Sequence, residues 1–244
     1  MTTLIDSMVE RAKTDKKTIV LPEGHDDRIL AAAEETLKQG IANLVILGDA
    51  EEINAKGYNL EGAEIINPAT SDKVDEFAIL LFELRKKKGM TEEEARELVT
   101  KDNIYFATMM VKTGQCDGLV GGASCATVKI LSPALKVLKT APGAPMVSSL
   151  FLMEVPNCDL GENGVFAFAD CALEIQPTAE KLAHIANLTN QSFKRLLGKE
   201  ARIALLSHSS HGSAKNDDAQ KVVDAMTYIK ENYPDLNADG ELQL

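Results

Sequence analysis

A serine- and histidine-rich stretch, LLSHSSHGSAKNDD, links an apolar run to a helix-patterned segment. Its candidate ligand groups are Ser209, Ser210, Gly212 and Ser213. Hydroxyls and backbone N–H groups at the start of a helix can bind a phosphate group. The stretch has neither the GxxxxGKS/T spacing of a P-loop nor the GxGxxG spacing of a dinucleotide site, and Asp217 and Asp218 already complement the helix dipole. An anion-binding loop and a capped turn therefore both remain open.

The same stretch places serine beside histidine, the residue types of nucleophilic catalysis. Catalytic pairs are defined by geometry in space rather than by adjacency, and no GxSxG elbow occurs in the sequence. We therefore interpret His208 and His211 as turn residues. Together with His25 and His184 they show no zinc-ligand spacing, and the cysteines form no CxxC pair: Cys116, Cys125, Cys158 and Cys171. We expect no metal site and no redox pair.

A second candidate loop, VGGASCAT, begins at a glycine pair that ends a predicted strand. Gly121 and Gly122 allow a ligand to approach the backbone closely. Ser124 and Thr127 supply hydroxyls where the next helix should begin. The alternative is close packing of helix on strand with Ser124 as the N-cap, and the residues do not decide between the two. Cys125 could be a reactive thiol at a helix start, but a buried small side chain is the interpretation we favour.

The segment ELRKKKGMT concentrates basic side chains in an otherwise acidic protein: Arg85, Lys86, Lys87 and Lys88. Such a cluster can bind a phosphorylated ligand. It is equally typical of a solvated helix end, with cations near the C-terminal dipole and Gly89 as the cap, and the residues slightly favour that interpretation. The segment LPEGHDDR, at the first strand–helix turn, leaves the same two alternatives.

The elements that must position these residues alternate between strand and helix. An amphipathic helix is predicted at the N-terminus, followed by strands in KKTIVLPE, NLVILGD, AEIINP and DGLVGG and by helices over 26–40, 71–88, 91–100 and 103–113. Further strands are predicted in MVSSLFLME, GVFAFAD, RIALLSH and ELQL, with helices over 178–197 and 214–231. Strands separated by such helices predict right-handed crossovers and mainly parallel sheets. The fold class is therefore α/β.

The segment KTAPGAP marks a change in composition, so we predict a first domain over 1–143 and a second over 144–244. Because the chain stops within the strand signal ELQL, we expect the second domain to be incomplete. The 26 basic and 37 acidic residues give a net charge of −11, which argues against nucleic acid and anionic membranes as partners. No apolar run is long enough to span a bilayer and no signal peptide is evident, so we expect a cytoplasmic protein.

Several segments together, in the same order along nearly the whole chain, resemble the phosphate acetyltransferase (phosphotransacetylase) family. They are IVLPEGHDDRIL, FATMMVKTGQCDGLVGGA, SPALKVLKTAPG, FADCALEIQPTAEKLAHIA, RIALLSHSSHGSA and DGELQ. The resemblance implies an enzyme of acetate metabolism that interconverts acetyl-CoA plus phosphate with acetyl phosphate plus CoA. It also implies two three-layer α/β/α domains of the isocitrate/isopropylmalate dehydrogenase-like superfamily, with an interdomain cleft. A homodimer is implied, with CoA as substrate and no bound cofactor.

The resemblance also assigns roles to residues. Arg85 matches an arginine that binds a CoA phosphate. Gly121, Gly122, Ser124 and Thr127 lie in the family's glycine-rich acyl-phosphate loop, and Ser209, Ser210, Gly212 and Ser213 lie in a loop facing the cleft. The chain departs from the family at Ser132, where an arginine for CoA is expected, and at Cys125, where a histidine is expected. Lys129, one helical turn before Ser132, is a candidate replacement for the missing cation.

The largest departure concerns catalysis. The family's Ser-Arg…Asp motif, which supplies transition-state donors and the general base, lies beyond the position of Leu244, so the catalytic residues are not identified within this sequence. We therefore expect weak turnover or none from these 244 residues. Two alternatives remain: a phosphate butyryltransferase-type acyltransferase, and a non-catalytic protein that binds ligands or has a regulatory role.

Overall fold

The computed structural model describes residues 4–243, which divide into two compact units between Lys139 and Thr140. The division falls at the start of KTAPGAP, whereas the sequence analysis placed it after residue 143. Residues 1–3, the beginning of the predicted N-terminal helix, and Leu244, the end of ELQL, lie outside the described residues.

The first unit alternates strands and helices as predicted. Its elements are α1 (Leu4–Thr14), β1 (Thr18–Leu21), α2 (Asp27–Gln39), β2 (Asn43–Leu47), α3 (Ala50–Ala55), β3 (Glu64–Ile66), α4 (Val74–Arg85), a 3₁₀ turn (Lys86–Lys88), α5 (Glu92–Lys101), α6 (Asn103–Lys112), β4 (Gly118–Leu119) and α7 (Thr127–Val137). The strands form one parallel sheet in the order β3-β2-β1-β4. The prediction of an α/β fold with a mainly parallel sheet is confirmed for this unit.

The helix ends of the first unit follow from local residue types. The side chain of Asp26 accepts the backbone N–H of Arg28 and so caps the start of α2. Gly40 ends the helix at φ +67°, a left-handed conformation that glycine adopts without steric cost. Aspartate before a helix and glycine after it are the residue types expected at these two positions. Thr91 and Glu94 form a reciprocal capping box at the start of α5, which fixes where that helix begins.

Apolar side chains cover both faces of the sheet, as a three-layer arrangement requires. Leu44 and Ile46 of β2 pack with α2 and α3 on one face. Val45 and Leu47, which point the other way, pack with the cluster formed by α4–α7. That larger cluster contains the edge-to-face pair Phe77–Phe106, with ring centroids 5.0 Å apart. A strand buried on both faces explains the continuous apolar run in NLVILGD.

Strand β4 lies at the edge of the sheet and pairs with β1 through Ile19↔Gly118 and Val20↔Leu119. The pairing continues beyond the strand, because the Val120 N–H donates to the Val20 carbonyl at 3.1 Å. On the other side, the Asp117 carboxylate accepts the Thr18 N–H at 2.8 Å. Because β1 and β4 are parallel neighbours, the turn after β1 and the loop after β4 lie at the same end of the sheet.

The second unit contains β5 (Leu150–Glu154), α8 (Leu160–Asn163), β6 (Val165–Ala169), α9 (Ala179–Leu197), β7 (Ile203–Leu206), α10 (Asp217–Asn232) and β8 (Ala238–Leu242). Strands β7 and β8 are parallel, but β5 and β6 pair antiparallel in a separate sheet. The expectation of a parallel sheet fails for that pair because its connection, 155–164, is shorter than the dozen or so residues that a parallel crossover needs. Strand β8 also begins before ELQL.

Helices α9 and α10 pack on β7 and β8 through Ala183, Ala186, Leu205 and Met226. His184 lies beside this core, where its Nδ1 is 2.6 Å from the Tyr233 hydroxyl and its ring is edge-on to Tyr228. His184 therefore has a structural role in the helix pair. Of the helices described between residues 4 and 243, none combines the length and the apolar character needed to cross a membrane.

Candidate functional site

The glycine-rich loop after β4 surrounds the carboxylate of Glu23, which follows β1. Glu23 Oε2 accepts the N–H groups of Gly122 (2.7 Å) and Ala123 (2.9 Å), and Oε1 accepts the N–H (2.8 Å) and the hydroxyl (2.7 Å) of Ser124. These four residues are called the Glu23 cluster below. Glu23 is only 3% exposed. The amides that the sequence suggested for a phosphate are thus donated to a carboxylate of the chain itself.

The Glu23 cluster keeps its carboxylate charged. Burial would raise the pKa of Glu23, but the hydrogen bonds from Ser124, Ala123 and Gly122 outweigh it and lower the pKa from 4.5 to about 2. Near neutral pH the loop therefore surrounds a permanent negative charge. Glu23 would repel an external anion, so an anion could bind here only if contacts with other groups of the loop outweighed that repulsion.

The turn after β1 makes further contacts with the same loop. The Ser124 hydroxyl donates to Glu23, so it accepts a hydrogen bond from His25 Nε2 at 3.0 Å. Arg28 donates to the Ala123 carbonyl and forms a bidentate pair with Asp26 at 3.0 and 2.6 Å. The hydrogen bond from Arg28 lowers the pKa of Asp26 well below its usual range. The segment LPEGHDDR thus positions the glycine-rich loop.

The remaining residues of the loop are placed as follows. Thr127 is the first residue of α7, and the N-cap is Ala126 rather than Ser124, so the interpretation of Ser124 as the cap was wrong. Gly121 packs tightly, since a Cβ there would lie 3.0 Å from Pro22 Cγ. Burial raises the pKa of Cys125, which favours the neutral thiol over a reactive thiolate.

Arg85 lies at the C-terminal end of α4 and lines a pocket of about 530 Å³. The pocket is formed within the first unit by α4, the 3₁₀ turn, α5, α6 and α7. It is lined by Arg85, Lys88, Gly89, Met90, Glu94, Glu97, Leu98, Tyr105 and Lys136; this set is called the Arg85 pocket below. Gly89 ends the 3₁₀ turn at φ +88°, so the predicted glycine cap is present as well. The basic segment both ends a helix and lines a pocket.

The serine-rich loop of the second unit also surrounds a carboxylate. Glu241 of β8 is 2% exposed and accepts the Ser209 hydroxyl and, at 2.8 Å, the Gly212 N–H. The hydrogen bonds from Ser209 and Gly212 lower the pKa of Glu241. The Ser213 hydroxyl accepts the Ser210 N–H at 3.0 Å, which closes the turn. The four predicted residues therefore lie in one turn, and two of them, Ser209 and Gly212, contact Glu241.

A third carboxylate contact was not predicted. Asp170, immediately after β6, accepts the N–H (2.8 Å) and hydroxyl (2.5 Å) of Ser149 and the N–H groups of Ala172 (2.9 Å) and Leu173 (2.8 Å). Burial would raise the pKa of Asp170, but these hydrogen bonds, led by that of the Ser149 hydroxyl, hold it well below the usual range. We call these residues the Asp170 cluster. The sequence feature that could have indicated this contact is Asp170 itself, the acidic residue at the end of the apolar segment GVFAFAD.

The contributions of Glu23, Glu241 and Lys136 to the predicted loops and to the pocket were not predicted from the sequence. Each is an ordinary charged residue in a strand end or helix, and only tertiary contacts distinguish it from a solvated one. Among residues 4–243, no cluster of His, Cys, Asp and Glu side chains is arranged to hold a metal ion.

Comparison with known proteins places the chain in a family. The family model "Phosphate acetyl/butaryl transferase" matches residues 3–244. Phosphate acetyltransferases of Thermoanaerobacterium thermosaccharolyticum and Acetivibrio thermocellus are 54% and 48% identical over 99% and 98% of this chain, which covers 74% and 73% of their lengths. A crystal structure of a Streptococcus pyogenes phosphotransacetylase superposes with a TM-score of 0.89 at 36% identity, over 98% of this chain and 72% of that one. The chain belongs to the phosphate acetyl/butaryl transferase family.

Proposed function

We propose that this protein interconverts acetyl-CoA and phosphate with acetyl phosphate and CoA. The observation that carries the proposal is 54% identity over nearly the whole chain to a protein named phosphate acetyltransferase. On the same basis we propose a cytoplasmic homodimer that serves acetate metabolism, with CoA as a substrate and no resident cofactor. The acidic net charge of −11 favours neither nucleic acid nor a membrane surface as partner.

The Arg85 pocket is the proposed contact for a phosphate group of CoA. The guanidinium of Arg85 can donate two parallel hydrogen bonds to phosphate oxygens, a geometry that a lysine side chain cannot provide. The loop 121–127 is the proposed boundary of the acyl-phosphate site. Because Glu23 accepts the N–H groups of Gly122, Ala123 and Ser124, we assign contacts with the substrate to side chains such as Thr127 rather than to these amides.

The proposed chemistry is acyl transfer between two bound substrates. A base removes the proton of the CoA thiol, the thiolate attacks the acetyl phosphate carbonyl, and phosphate leaves. The serine, arginine and aspartate that the resemblance assigns to these steps match no residue of 1–244. A positioned base contributes about 10²–10⁴-fold in rate.

The test is CoA release from acetyl-CoA and phosphate, followed with a thiol reagent beside the T. thermosaccharolyticum relative. We expect phosphate-dependent release that is faster with acetyl-CoA than with butyryl-CoA. Preference for butyryl-CoA would support the phosphate butyryltransferase alternative. CoA binding without turnover of either thioester would support the non-catalytic alternative.

Replacing Arg85 with methionine is expected to weaken CoA binding by at least about tenfold, because both hydrogen bonds of the guanidinium are lost and one charge-assisted hydrogen bond alone contributes roughly 1.5 kcal/mol. The dissociation constant for CoA, measured by titration calorimetry, checks this. Arg96→Met is the matched control, because Arg96 lies outside the pocket, where it pairs with Asp75. Equal losses for both variants would point to a general charge effect and contradict the assignment.

A further inference from the structure

The side chain of His25 links the turn after β1 to the glycine-rich loop. His25 Nε2 lies 3.0 Å from Ser124 Oγ. Glu23 is charged and can only accept hydrogen bonds, so the Ser124 hydroxyl gives its one proton to that carboxylate, at 2.7 Å. The Ser124 oxygen must then accept, and the donor is the N–H at His25 Nε2. The three side chains are therefore linked in one direction, with each proton pointing toward Glu23.

The backbone that carries His25 is held from several sides. The Lys56 amine donates to the His25 carbonyl and to the Asp27 carboxylate, at 2.8 Å each. The Gly24 N–H donates to the Leu47 carbonyl at 3.2 Å, and a Cβ at Gly24 would lie 2.6 Å from that oxygen. The turn thus packs directly against the end of β2. Because its backbone is held in this way, the His25 side chain connects the loop to a firmly packed part of the first unit.

The direction of these hydrogen bonds limits what Ser124 can do for a ligand. Its N–H and its hydroxyl proton both go to Glu23 Oε1, so none is left for a charged phosphate oxygen. In the described part of the chain, only Glu23 and His25 form hydrogen bonds with the Ser124 hydroxyl. Arg28, which also reaches the loop, donates to the backbone carbonyl of Ala123 instead. Ser124 is therefore the residue through which His25 acts on the loop.

We propose that His25 is a positioning residue: by donating to Ser124 it holds the glycine-rich loop in the arrangement that bounds the acyl-phosphate site. The role of the loop rests on the proposed function. Loss of the His25 contact lowers the fraction of molecules with the loop in place, and the apparent affinity for phosphate falls by the same factor. The Arg85 pocket shares no residue with the loop, so CoA binding there should not change.

The first measurement is hydrogen exchange of the loop amides 122–124, which needs no substrate. We expect exchange to be about fivefold faster in His25→Phe, which loses one hydrogen bond. His25→Gln should stay within about twofold of the unmodified chain, because its amide N–H can reach the position of the imidazole Nε2. His25→Asn, one methylene shorter, should behave as His25→Phe. Because His25 is exposed, the variants should fold, which thermal melting checks.

A double-mutant cycle tests whether His25 acts through Ser124. In the Ser124→Ala background, adding His25→Phe should change loop exchange by less than about twofold, because the contact is already absent. The second measurement is acyl transfer from acetyl-CoA to phosphate. We expect KM for phosphate to rise about fivefold in His25→Phe and to recover in His25→Gln. The kcat and the KM for acetyl-CoA should each change by less than about twofold.

Several results would overturn the proposal: unchanged loop exchange in His25→Phe, no recovery in His25→Gln, or an equal effect of His25→Phe in the Ser124→Ala background. Faster exchange with an unchanged KM for phosphate would also overturn it, since the position of the loop would then not matter to the substrate. Absence of acyl transfer in the unmodified chain would refute the proposed function instead. The exchange measurements would still decide whether His25 holds the loop through Ser124.

Discussion

Replacing Glu23 with glutamine is expected to destabilise the first unit by about 3 kcal/mol, the largest stability effect we predict for a single substitution here. The carboxylate accepts three backbone N–H groups and the Ser124 hydroxyl while being 3% exposed. Glutamine keeps one acceptor oxygen but directs an NH₂ group at donors. Donors left without an acceptor in a half-buried loop carry the desolvation cost.

The effect is measured as the free energy of opening from urea-dependent hydrogen exchange of peptides in the first unit. Exchange protection at Gly122, Ala123 and Ser124 should be lost first. Glu35→Gln on α2 is the matched control: Glu35 is exposed and bonds only to neighbours on its own helix, so we expect a change within about 0.5 kcal/mol. If Glu23→Gln changed stability no more than this control, the carboxylate would not hold the loop.

The same contacts predict how the first unit responds to pH. The pKa of Glu23 is lowered from 4.5 to about 2 in the folded chain. Its contribution to stability is therefore fully present above pH 4.5 and is lost as the pH falls from there through about 2. A shift of this size corresponds to about 3 kcal/mol, in line with the effect expected for the glutamine variant. In Glu23→Gln this part of the acid dependence should disappear.

Replacing Asp170 with asparagine is expected to destabilise the second unit by about 2 kcal/mol. One Asp170 oxygen accepts the Ser149 hydroxyl and two backbone N–H groups, while the other accepts the Ser149 N–H. In asparagine one of these positions becomes an NH₂ group that faces a donor. The effect is smaller than at Glu23 because Asp170 is partly exposed rather than buried.

The measurement is hydrogen exchange of the segment 170–173 and of β5 in urea, compared between Asp170→Asn and the unmodified chain. Asp159→Asn is the control, since Asp159 precedes α8 without a side-chain capping bond and is exposed. We expect the control to match the unmodified chain. The lowered pKa of Asp170 also implies that its contribution is lost only as the pH falls below the ordinary value of 3.8. Unchanged protection at Ala172 and Leu173 in Asp170→Asn would contradict this account.

The parts of the fold that depend on local residue patterns were predictable from the sequence. The Asp26 and Gly40 caps, the buried run of β2 and the parallel sheet of the first unit all follow from side-chain type and spacing. The antiparallel β5–β6 pair was not foreseen, because an apolar run reads the same in either direction of pairing. Only the length of the connection distinguishes the two cases.

The candidate site was predictable as positions but not as contacts. Both loops and Arg85 were predicted from the sequence, yet Glu23 and Ser124 are 101 positions apart, and only the pairing of β1 with β4 brings them together. Lys136 was equally hidden, because its proximity to Arg85 depends on how α7 packs beside α4, α5 and α6. Such contacts between distant segments leave no trace in spacing or composition.

The pairing of β1 with β4 has a consequence for how the edge of the first unit's sheet unfolds locally. The two residue pairs between β1 and β4 would hold this edge strand only weakly. Hydrogen bonds to carboxylates add to them on both sides of β4: Asp117, just before it, accepts the Thr18 N–H, and Glu23 accepts the N–H of Gly122, just after it. Residue-by-residue fraying is thereby suppressed, since neither end can detach while its acidic partner stays bonded. The turn at 22–28 and the loop at 121–126 should therefore separate from each other in one cooperative step. We expect two states of the loop, one with all its hydrogen bonds to the turn and one with none.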